Sequence, residues 1–404
     1  MDSERAYIRE RKRKARHLSL WFRKMQVFPI QNKIVFSTFE GDGGFCCNPR
    51  YIAEETLRRG WDCEMIWLTH DTSRKFPSGI RAVKDTPKNI AYHLSTAAVW
   101  IDNYRKPLGT VKRKGQLYIQ TWHASMGFKA VGLYRGNLFP EIARIVSEHD
   151  SSLIDYVISN SDYCTSIYPQ KLLYKGSVLQ VGSPRCDCLI KDKENLRGIL
   201  RERYKLPSSE RIVLYAPTFR GGSQKRKKQV VFEAFSLDIN RVVDTLQKKT
   251  SAHWTMMLRL HPQLSAFMQR MPVYLKGASV IDVSQEDDMS QVLGAVDLVI
   301  TDYSSCAFDA LFCNIPVILF ADDVEDYKKS RGSFMWEKDE LPFMMSENNE
   351  QLQQCILDFD KDVYVIKKEW FMKKHNVTEV GNASVQVVDT IEKWVKEKCC
   401  MDEL

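Results

Sequence analysis

Leu298-Val-Ile-Thr-Asp-Tyr-Ser-Ser305, which continues to Phe308-Asp309, is the stretch that decides the fold of this chain. An apolar run over 296–301 stops at four polar or aromatic turn residues, a helix-like stretch follows, and 315–320 is a second apolar run. Short apolar runs bounded by polar turns are typical of buried strands in a parallel sheet. The order strand, polar turn, helix, strand therefore predicts an α/β fold.

The polar turn would lie at the carboxyl end of the first strand, where open α/β sheets bind ligands. Two serine hydroxyls and free backbone N–H groups at the start of a helix suit a phosphate group. Ser304 or Ser305 could equally do no more than cap the helix, because serine is a common N-cap residue. On these residues alone both interpretations stay open.

Composition and charge narrow the class of protein. The chain has 404 residues, enough for two domains, and is 44% hydrophobic and 27% charged, as ordinary globular proteins are. Its net charge of +8 favours anionic partners: phosphorylated substrates, an acidic membrane surface or nucleic acid. The eleven cysteines are scattered without a Cys-x-x-Cys pair, which predicts neither disulfides nor zinc and favours a reducing cytosol. No apolar run approaches the ~18 residues of a membrane span, and no signal-peptide core is expected.

The first 28 residues differ from the rest. Nine Lys or Arg residues fall between Arg5 and Lys24, with Leu18, Trp21 and Phe22 among the apolar residues that follow the most basic stretch. Such a segment could lie on an anionic membrane surface, could bind nucleic acid, or could be a solvated run of charge. We predict a basic amphipathic membrane-associating segment.

Two similar α/β units follow that segment. Strand-like and helix-like stretches alternate from about residue 33 to 200, and the alternation restarts at 211 after a charged, helical linker. Near the start, Asn48 is predicted to cap a helix with Pro49 in its first position. The predicted parts are 1–28, an N-terminal Rossmann-like domain 29–205, a C-terminal Rossmann-like domain 206–380, and a C-terminal helix 381–404.

The apolar strands repeatedly end in residues of the same kinds. These are His123, Ser125, Arg185, Thr218, Arg220, His261, Ser304 and Ser305. The carboxyl ends of parallel strands share one edge of a sheet, so two such domains facing each other would enclose a cleft rich in His, Arg and hydroxyl groups. A cleft of that composition suits a ligand with several phosphate oxygens.

Two histidines and two arginines could do chemistry there. A neutral His123 could take a proton from an attacking hydroxyl, and His261 could donate to phosphate oxygens. Arg185 and Arg220 could stabilise charge on a phosphoryl group. Taken singly, each histidine is more often a structural hydrogen-bonding residue, and each arginine could form a surface ion pair.

The acidic residues of the opening motif allow several roles. Asp302 and Asp309 could orient a histidine, hold a substrate hydroxyl or bind a metal ion. No carboxylate cluster is strong enough to require a metal. We therefore predict no metal and no cofactor.

Four stretches taken together resemble the CDP-glycerol glycerophosphotransferases, the teichoic acid primases and polymerases of bacterial cell walls. They are Gln120-Thr-Trp-His123, Tyr215-Ala-Pro-Thr-Phe-Arg220, Arg259-Leu-His-Pro262, and Thr301-Asp-Tyr-Ser-Ser305 with Phe308-Asp309. Asn48-Pro-Arg-Tyr51 and Asp326-Tyr327 with Arg331-Gly332 also match. The resemblance covers roughly residues 32–332. After the histidine of the first stretch the family usually has Gly-Thr, where this chain has Ala124-Ser125.

The resemblance implies a GT-B-like architecture with the active site between two domains. It implies a peripheral enzyme at the cytoplasmic face of the bacterial membrane. Such an enzyme transfers glycerol phosphate, or ribitol phosphate, from a CDP-alditol to a hydroxyl of a lipid-linked glycan and releases CMP. Carried over to this chain, the catalytic residues are His123 and His261. The substrate-binding residues are Ser125, Arg185, Pro217, Thr218, Arg220, Leu260, Pro262, Ser304, Ser305, Asp309 and Arg331.

Three other functions remain open. A GT-B glycosyltransferase that uses a nucleotide sugar would share the fold and the phosphate contacts. A nucleic-acid-binding protein would explain the positive charge. The basic residues form no recognisable binding motif, however, so we predict no nucleic-acid partner. A non-catalytic scaffold would leave the histidines and arginines at the strand ends unexplained. The oligomeric state does not follow from the sequence.

Overall fold

A computed structural model describes residues 2–124, 126–218, 236–260 and 279–402, which fall into two units. Unit 1 comprises Met1–Ser125, Ala130–Asp187 and Asn376–Leu404, and unit 2 comprises Met126–Lys129 and Cys188–His375. Within the described residues, the helices α1 to α14 are Asp2–Met25, Cys47–Arg58, Pro87–Thr96, Glu141–Ser151, Asp162–Lys171, Pro184–Lys191, Lys193–Arg203, Ile239–Thr250, Met289–Ala295, Cys306–Phe312, Val324–Arg331, Asn349–Asp358, Lys361–Lys374 and Ala383–Asp402. The strands β1 to β13 are Gln31–Ser37, Glu64–Thr69, Ile80–Lys84, Ala97–Asp102, Leu117–Gln120, Tyr156–Ser159, Ser177–Gln180, Arg211–Tyr215, Trp254–Leu258, Val280–Asp282, Leu298–Thr301, Val317–Phe320 and Met344–Ser346.

Unit 1 is built on seven strands in the order β3-β2-β1-β4-β5-β6-β7, all paired in parallel. Helices cover both faces, which is why strand β1 is apolar on both sides. Val35 faces a core that includes Phe22 of α1, whereas Phe36 faces a core that includes Ile52 of α2 and Ile391 of α14. The winding direction reverses between β1 and β4, so the crevice at which such sheets bind ligands lies beyond the ends of these two strands.

Unit 2 repeats this plan with six strands in the order β10-β9-β8-β11-β12-β13, again all parallel. Val213, Ile300 and Ile318, from three neighbouring strands, pack with α8 and α12 in one core. The winding direction reverses between β8 and β11, the strand of the opening motif. The predicted α/β fold and the strand-turn-helix-strand order of that motif are confirmed.

Helix α1 is part of unit 1 rather than a separate segment. Its buried residues Ile8, Ala15, Leu18, Phe22 and Met25 recur at helical spacing and leave the basic residues on the outer face. The helix approaches the turn before β5 closely. A Cβ on Gly109, which has φ +97°, would lie 2.3 Å from the carbonyl oxygen of Ala15, and Ser19 Oγ donates to the carbonyl of Gly109 over 2.9 Å.

The observed units differ from the predicted division at both ends and in the middle. Helix α14 returns to unit 1, where Arg59 binds Asp389 and Glu392 and Trp61 Nε1 donates to Glu392. Helix α7 belongs to unit 2, because Leu196 packs directly on Gly294 of α9. The predicted linker is thus the first helical layer of unit 2. Across the described residues, no helix is both long and apolar enough to span a bilayer.

Replacing a buried aromatic residue of α1 tests whether this helix is integral to unit 1. Phe22 is 0% exposed, so Phe22→Ala should lower the free energy of unfolding by about 3–5 kcal/mol. Leu20 on the same helix is 53% exposed, and Leu20→Ala should change it by less than about 0.5 kcal/mol. Urea unfolding followed by far-ultraviolet circular dichroism gives both values. Equal effects of the two substitutions would contradict the docking of α1.

Candidate active site

In unit 1 the histidine turn follows strand β5 and is held from the side by a buried asparagine. The side-chain amide of Asn48 donates to the carbonyl oxygens of Thr121 (3.2 Å) and Trp122 (2.9 Å). Trp122 has φ +50°, a conformation that non-glycine residues adopt only when their surroundings impose it. Asn48 is therefore a clamp and not the predicted N-cap, since α2 begins at Cys47 and the amide points into the protein.

The ring of His123 is oriented by one hydrogen bond and three aromatic neighbours. Its Nδ1 lies 2.9 Å from the carbonyl oxygen of Asn103, the first residue after β4. A carbonyl only accepts, so Nδ1 carries the proton and the neutral ring keeps Nε2 as a proton acceptor. The rings of Phe39, Tyr104 and Trp122 lie 5.4, 5.5 and 4.5 Å from the imidazole, and Tyr104 is stacked on it.

The surroundings keep this imidazole neutral. Desolvation is the largest cause that lowers the pKa of His123, and the positive charges of Arg185, Lys171 and Arg105 act in the same direction. Against the raising effect of the bond to Asn103, the resulting pKa is about 4. Lys171 donates to the carbonyl oxygen of Ala124, the next residue along the turn. A ring that is neutral at pH 7, and whose Nε2 makes no hydrogen bond among the residues that the structure describes, can accept a proton from a hydroxyl.

The turn after β4 is fixed by a buried ion pair. Asp102 accepts from Lys106 Nζ over 2.6 Å and from the backbone N–H of Tyr104 over 2.9 Å. Its carbonyl oxygen accepts from the backbone N–H of Thr121 over 2.8 Å, which joins the turns after β4 and β5. Asn103, the residue that orients His123, is thereby held between two hydrogen-bonded neighbours.

Arg185 lies in the same region of unit 1. It is buried in the first turn of α6, and its backbone N–H donates to Asn48 Oδ1 over 3.1 Å. Asn48 thus joins the His123 turn and the Arg185 helix, and the charge of Arg185 acts on the imidazole. The structure brings together these two predicted site residues.

In unit 2 the corresponding region lies beyond β8 and β11. The carboxylate of Asp302 accepts the backbone N–H of Thr218 with both oxygens, at 2.9 and 2.8 Å. Asp302 therefore joins the Pro217–Thr218 turn to the serine turn, and the roles that the sequence suggested for its carboxylate stay predictions. Leu260 follows the neighbouring strand β9, and its N–H donates to Ser284 Oγ over 2.8 Å.

The two serines differ from a simple helix cap. Ser305 occupies the N-cap position of α10, but its side chain makes no capping hydrogen bond. Ser304 Oγ is 3.5 Å from the N–H of Cys306, at the limit of a hydrogen bond. Both serines are half-buried, and Asp309 is buried one turn further along α10. These hydroxyl groups can reach a ligand beyond the end of β11.

Comparison with known proteins agrees with this arrangement. A profile of the family described as CDP-glycerol:poly(glycerophosphate) glycerophosphotransferase matches residues 20–393. The chain belongs to this family.

Individual relatives have the same character. The chain is 30% identical over 381 residues to a teichoic acid poly(glycerol phosphate) polymerase of Staphylococcus epidermidis, covering 90% of this chain and 51% of that polymerase. It is 26% identical to a teichoic acid glycerol-phosphate transferase of Staphylococcus aureus, covering 92% of this chain and 96% of the relative. The structure of the wall teichoic acid polymerase TagF superposes with a TM-score of 0.80 at 25% identity over 98% of both chains. This member of the glycerophosphotransferase family therefore has a GT-B-like fold. The chain spans about half the length of the S. epidermidis polymerase.

Several residues predicted for the glycerophosphotransferase site lie outside the described residues. They are Ser125, Arg220, His261 and Pro262, together with the side chain of Arg331. Their roles, and the absence of a metal or cofactor, stay predictions. Sequence reasoning missed the roles of Asn48 and Asn103. The match of Asn48-Pro-Arg-Tyr51 to the family was the one available signal for Asn48, whereas Asn103 acts through its backbone carbonyl, which no side-chain pattern marks.

The low pKa of His123 sets the direction of a pH effect on stability. Its pKa is about 4 in the folded protein against an ordinary 6.5, so between these values the unfolded chain binds more protons. Stability is therefore lost as the pH falls from about 6.5 through 4. We expect the free energy of unfolding to drop more steeply between pH 7 and 4.5 in the native protein than in His123→Gln, measured by urea titration. Parallel pH profiles would show that His123 titrates normally.

Proposed function

We propose that this protein transfers glycerol phosphate from CDP-glycerol to a hydroxyl group of a lipid-linked glycan or polymer and releases CMP. The observation that carries the proposal is His123: a neutral imidazole whose Nδ1–H is bound to Asn103, leaving Nε2 as a base at the carboxyl edge of a parallel sheet. Membership of the glycerophosphotransferase family supplies the reaction class. Teichoic acid or a related surface polymer is the proposed product.

In the proposed reaction the acceptor oxygen attacks the phosphorus atom that bears the glycerol. His123 Nε2 takes the proton of the acceptor hydroxyl as the new P–O bond forms. The bond between that phosphorus and the oxygen bridging to CMP breaks, and CMP leaves with the bonding electron pair. Arg185 lowers the energy of the negative charge that develops. Positioning and electrostatics supply most of the catalysis, as in phosphoryl transfer generally.

Unit 2 is proposed to hold the CDP-alditol. The half-buried hydroxyls of Ser304 and Ser305, and the turn that Asp302 fixes at Thr218, support this assignment. His261, Pro262 and Arg220 are proposed to bind the same donor, on the resemblance alone. CDP-ribitol is the alternative donor, and a nucleotide sugar is the alternative class of donor.

Measuring CMP release tests the reaction. Purified protein is incubated with CDP-glycerol, CDP-ribitol or UDP- and GDP-sugars, each with a lipid-linked disaccharide or its glycerol phosphate-extended form as acceptor. We expect CMP from CDP-glycerol, and His123→Ala should lower that rate about 10²–10⁴-fold, because a general base is lost. His253→Ala removes an exposed histidine of unit 2 and should leave the rate unchanged.

The other outcomes are equally informative. CMP release from CDP-ribitol alone would change the alditol and keep the reaction class. Release of UDP or GDP would make the protein a glycosyltransferase. A folded His123→Ala protein with full activity would remove His123 from the mechanism.

We also propose that the outer face of α1 contacts an anionic membrane surface. Exposed cations such as Arg9, Lys12, Arg13 and Arg16 line the face opposite the buried residues. Leu18 and Phe22 are buried in unit 1, so the contact would be electrostatic rather than an insertion of apolar side chains. Each cation near an anionic surface contributes about 1 kcal/mol.

Vesicle sedimentation tests this contact. Vesicles of phosphatidylglycerol and phosphatidylcholine should bind the native protein at low salt and release it at high salt. The triple substitution Lys12→Gln, Arg13→Gln, Arg16→Gln should weaken binding more than tenfold. A matched loss of three exposed charges elsewhere, at Lys175, Lys191 and Lys248, should have little effect. Equal weakening by both triples would show a non-specific charge effect.

A further inference from the structure

Helix α13 of unit 2 has an apolar stripe on its outer face. Val363, Ile366 and Trp370 recur at helical spacing and are 49%, 66% and 49% exposed. Tyr364 and Phe371, on the inner face of the same helix, are buried. Large apolar side chains that recur on one exposed face, rather than singly, mark an interaction surface. We call these three residues the α13 stripe.

The charges around the α13 stripe are mostly positive. The helix contains five lysines against Asp362 and Glu369. Lys374 Nζ lies 4.8 Å from the centroid of the Trp370 ring. A tryptophan beside lysines on an exposed helix face is typical of the boundary between water and a bilayer, because indole is amphipathic and lysine reaches the head groups.

The first turn of α13 also borders a cavity of about 700 Å³, a volume in the range of ligand-binding pockets. Arg211, Trp254 and Leu298, the first residues of β8, β9 and β11, line this cavity. It therefore lies at the opposite edge of the second sheet from the Ser304 turn and is separate from the candidate active site. Its floor is buried and apolar and includes Leu246, Val296, Leu298, Ile318 and Ile356.

The two buried floor residues with neutral polar atoms use those atoms inside the protein. Trp254 Nε1 donates to Thr250 Oγ1 over 2.8 Å, and the hydroxyl of Tyr364 donates to the carbonyl oxygen of Ile315 over 3.0 Å. A nucleotide base, a sugar or a peptide backbone would leave its own polar groups unpaired on such a floor, which costs free energy. A hydrocarbon chain has no such groups, so the floor suits a lipid.

Cations surround the entrance of the cavity. Arg197 and Arg211 share the carboxylate of Asp297, at 3.0 and 2.9 Å. Lys193 and Lys361, which also line the cavity, form no ion pair or side-chain hydrogen bond among the described residues. Desolvation is the largest cause that lowers the pKa of Lys193, and a bound anion would offset that cost.

The carboxylates that precede these two lysines in the sequence have other partners. Asp192 accepts from the side chain of Asn195 over 2.9 Å. Asp360 caps α13 and accepts the backbone N–H groups of Asp362 and Val363, at 2.8 and 2.9 Å. The entrance thus keeps positive charge above an apolar floor, which is the complement of an anionic lipid.

A second copy of this chain fits the same face poorly. Most homodimers form about a twofold axis, which places a surface patch against itself. The lysines of α13 would then oppose the same lysines of the other copy. An anionic bilayer instead complements both the charge of this face and its apolar side chains.

We propose that this face of unit 2 binds an anionic phospholipid bilayer. The α13 stripe inserts among the acyl chains, and the cavity takes the phosphate and part of one acyl chain of a single phospholipid. Lys193 and Lys361 donate to the phosphate oxygens. The contact adds apolar insertion to the electrostatic contact proposed for α1. Its tests omit the CDP-alditol donor, so they are independent of the reaction proposed for His123.

Soluble probes test the cavity. Hexyl, octyl and decyl phosphate, each below its micelle concentration, are titrated into the intact protein by calorimetry, with inorganic phosphate and octyl glucoside as comparisons. The affinity should rise about threefold to fourfold for each added CH₂ that the floor buries. Octyl phosphate should bind about tenfold or more tightly than either comparison, because only it has both the charge and the chain.

Substitutions at the entrance separate a built site from non-specific charge. Lys193→Gln combined with Lys361→Gln should weaken octyl phosphate about tenfold, since charge-assisted hydrogen bonds are lost. Lys205→Gln combined with Lys338→Gln removes two exposed lysines of unit 2 outside the cavity and should have no effect. Circular dichroism establishes that each variant is folded. An affinity that depends neither on chain length nor on Lys193 and Lys361 would overturn the cavity site.

Vesicles test the α13 stripe. At low salt, Ile366→Ser should weaken binding to phosphatidylglycerol-phosphatidylcholine vesicles about tenfold, because a large apolar side chain no longer inserts. Ile199→Ser, at an exposed apolar residue of α7, is the matched control and should change nothing. Vesicles with brominated acyl chains should quench the tryptophan fluorescence of the native protein, and Trp370→Phe should lose most of that quenching.

Three results would refute insertion of the stripe. Equal vesicle binding by Ile366→Ser and the native protein would show that the stripe makes no contact. Quenching that persists in Trp370→Phe would place another tryptophan in the bilayer, and it would leave the contact of α1 standing. An oligomer of the native protein that dissociates in Ile366→Ser, seen by sedimentation velocity without lipid, would assign the stripe to a contact between copies.

Discussion

Parallel pairing of strands β1 with β4 and β8 with β11 is the constraint on which the rest of this structure depends. Where the winding direction of a parallel sheet reverses, the loops after the two central strands diverge and leave their backbone ends open to a ligand. In unit 1 the loops after β1 and β4 meet through the bond from Phe39 to Asn103. In unit 2 the loops after β8 and β11 meet through the bond from Thr218 to Asp302. In each unit a backbone-to-side-chain contact thus joins the two loops at the base of the crevice.

Two cations after strand β4, Arg105 and Lys106, determine much of the charge distribution around His123. Burial of Lys106 is compensated by Asp102, and the pair is used to fix a turn. Arg105, only one residue away, has an aromatic ring beneath it instead of a carboxylate. The two neighbouring cations therefore differ: the charge of Lys106 is neutralised by Asp102, whereas the charge of Arg105 has no carboxylate in contact with it among the described residues. The positive charge of Arg105 lowers the pKa of His123, and it therefore helps burial to keep the imidazole neutral.

The fold class could be predicted from the sequence, because strands that are packed on both faces have continuous apolar runs. The apolar run over 296–301 contains strand β11, Leu298–Thr301, and the alternation predicted from about residue 33 begins with strand β1, Gln31–Ser37. It was insufficient where a side chain acts across the fold. Asn48 has the residue type of a cap and the local context of one, yet its amide donates to two carbonyl oxygens of a single turn more than 70 residues away in the chain. For Asp302 the sequence left several roles open, and none of them was the contact that the structure shows, in which both carboxylate oxygens accept the backbone N–H of Thr218. Such partners are brought together only by tertiary packing, which periodicity does not encode.

The return of helix α14 to unit 1 has a consequence for how the protein is made. Val387, Val388 and Ile391 are fully buried in the core that covers one face of the first sheet, and Glu392 binds Trp61 and Arg59. The ribosome delivers these residues only after all of unit 2 has been synthesised. While unit 2 is being synthesised and can already fold, one face of the first sheet therefore lacks the apolar residues of α14 that cover it in the complete protein. During that interval this face lacks the helix that will cover it, so unit 2, although it starts later, can complete its core before unit 1 does.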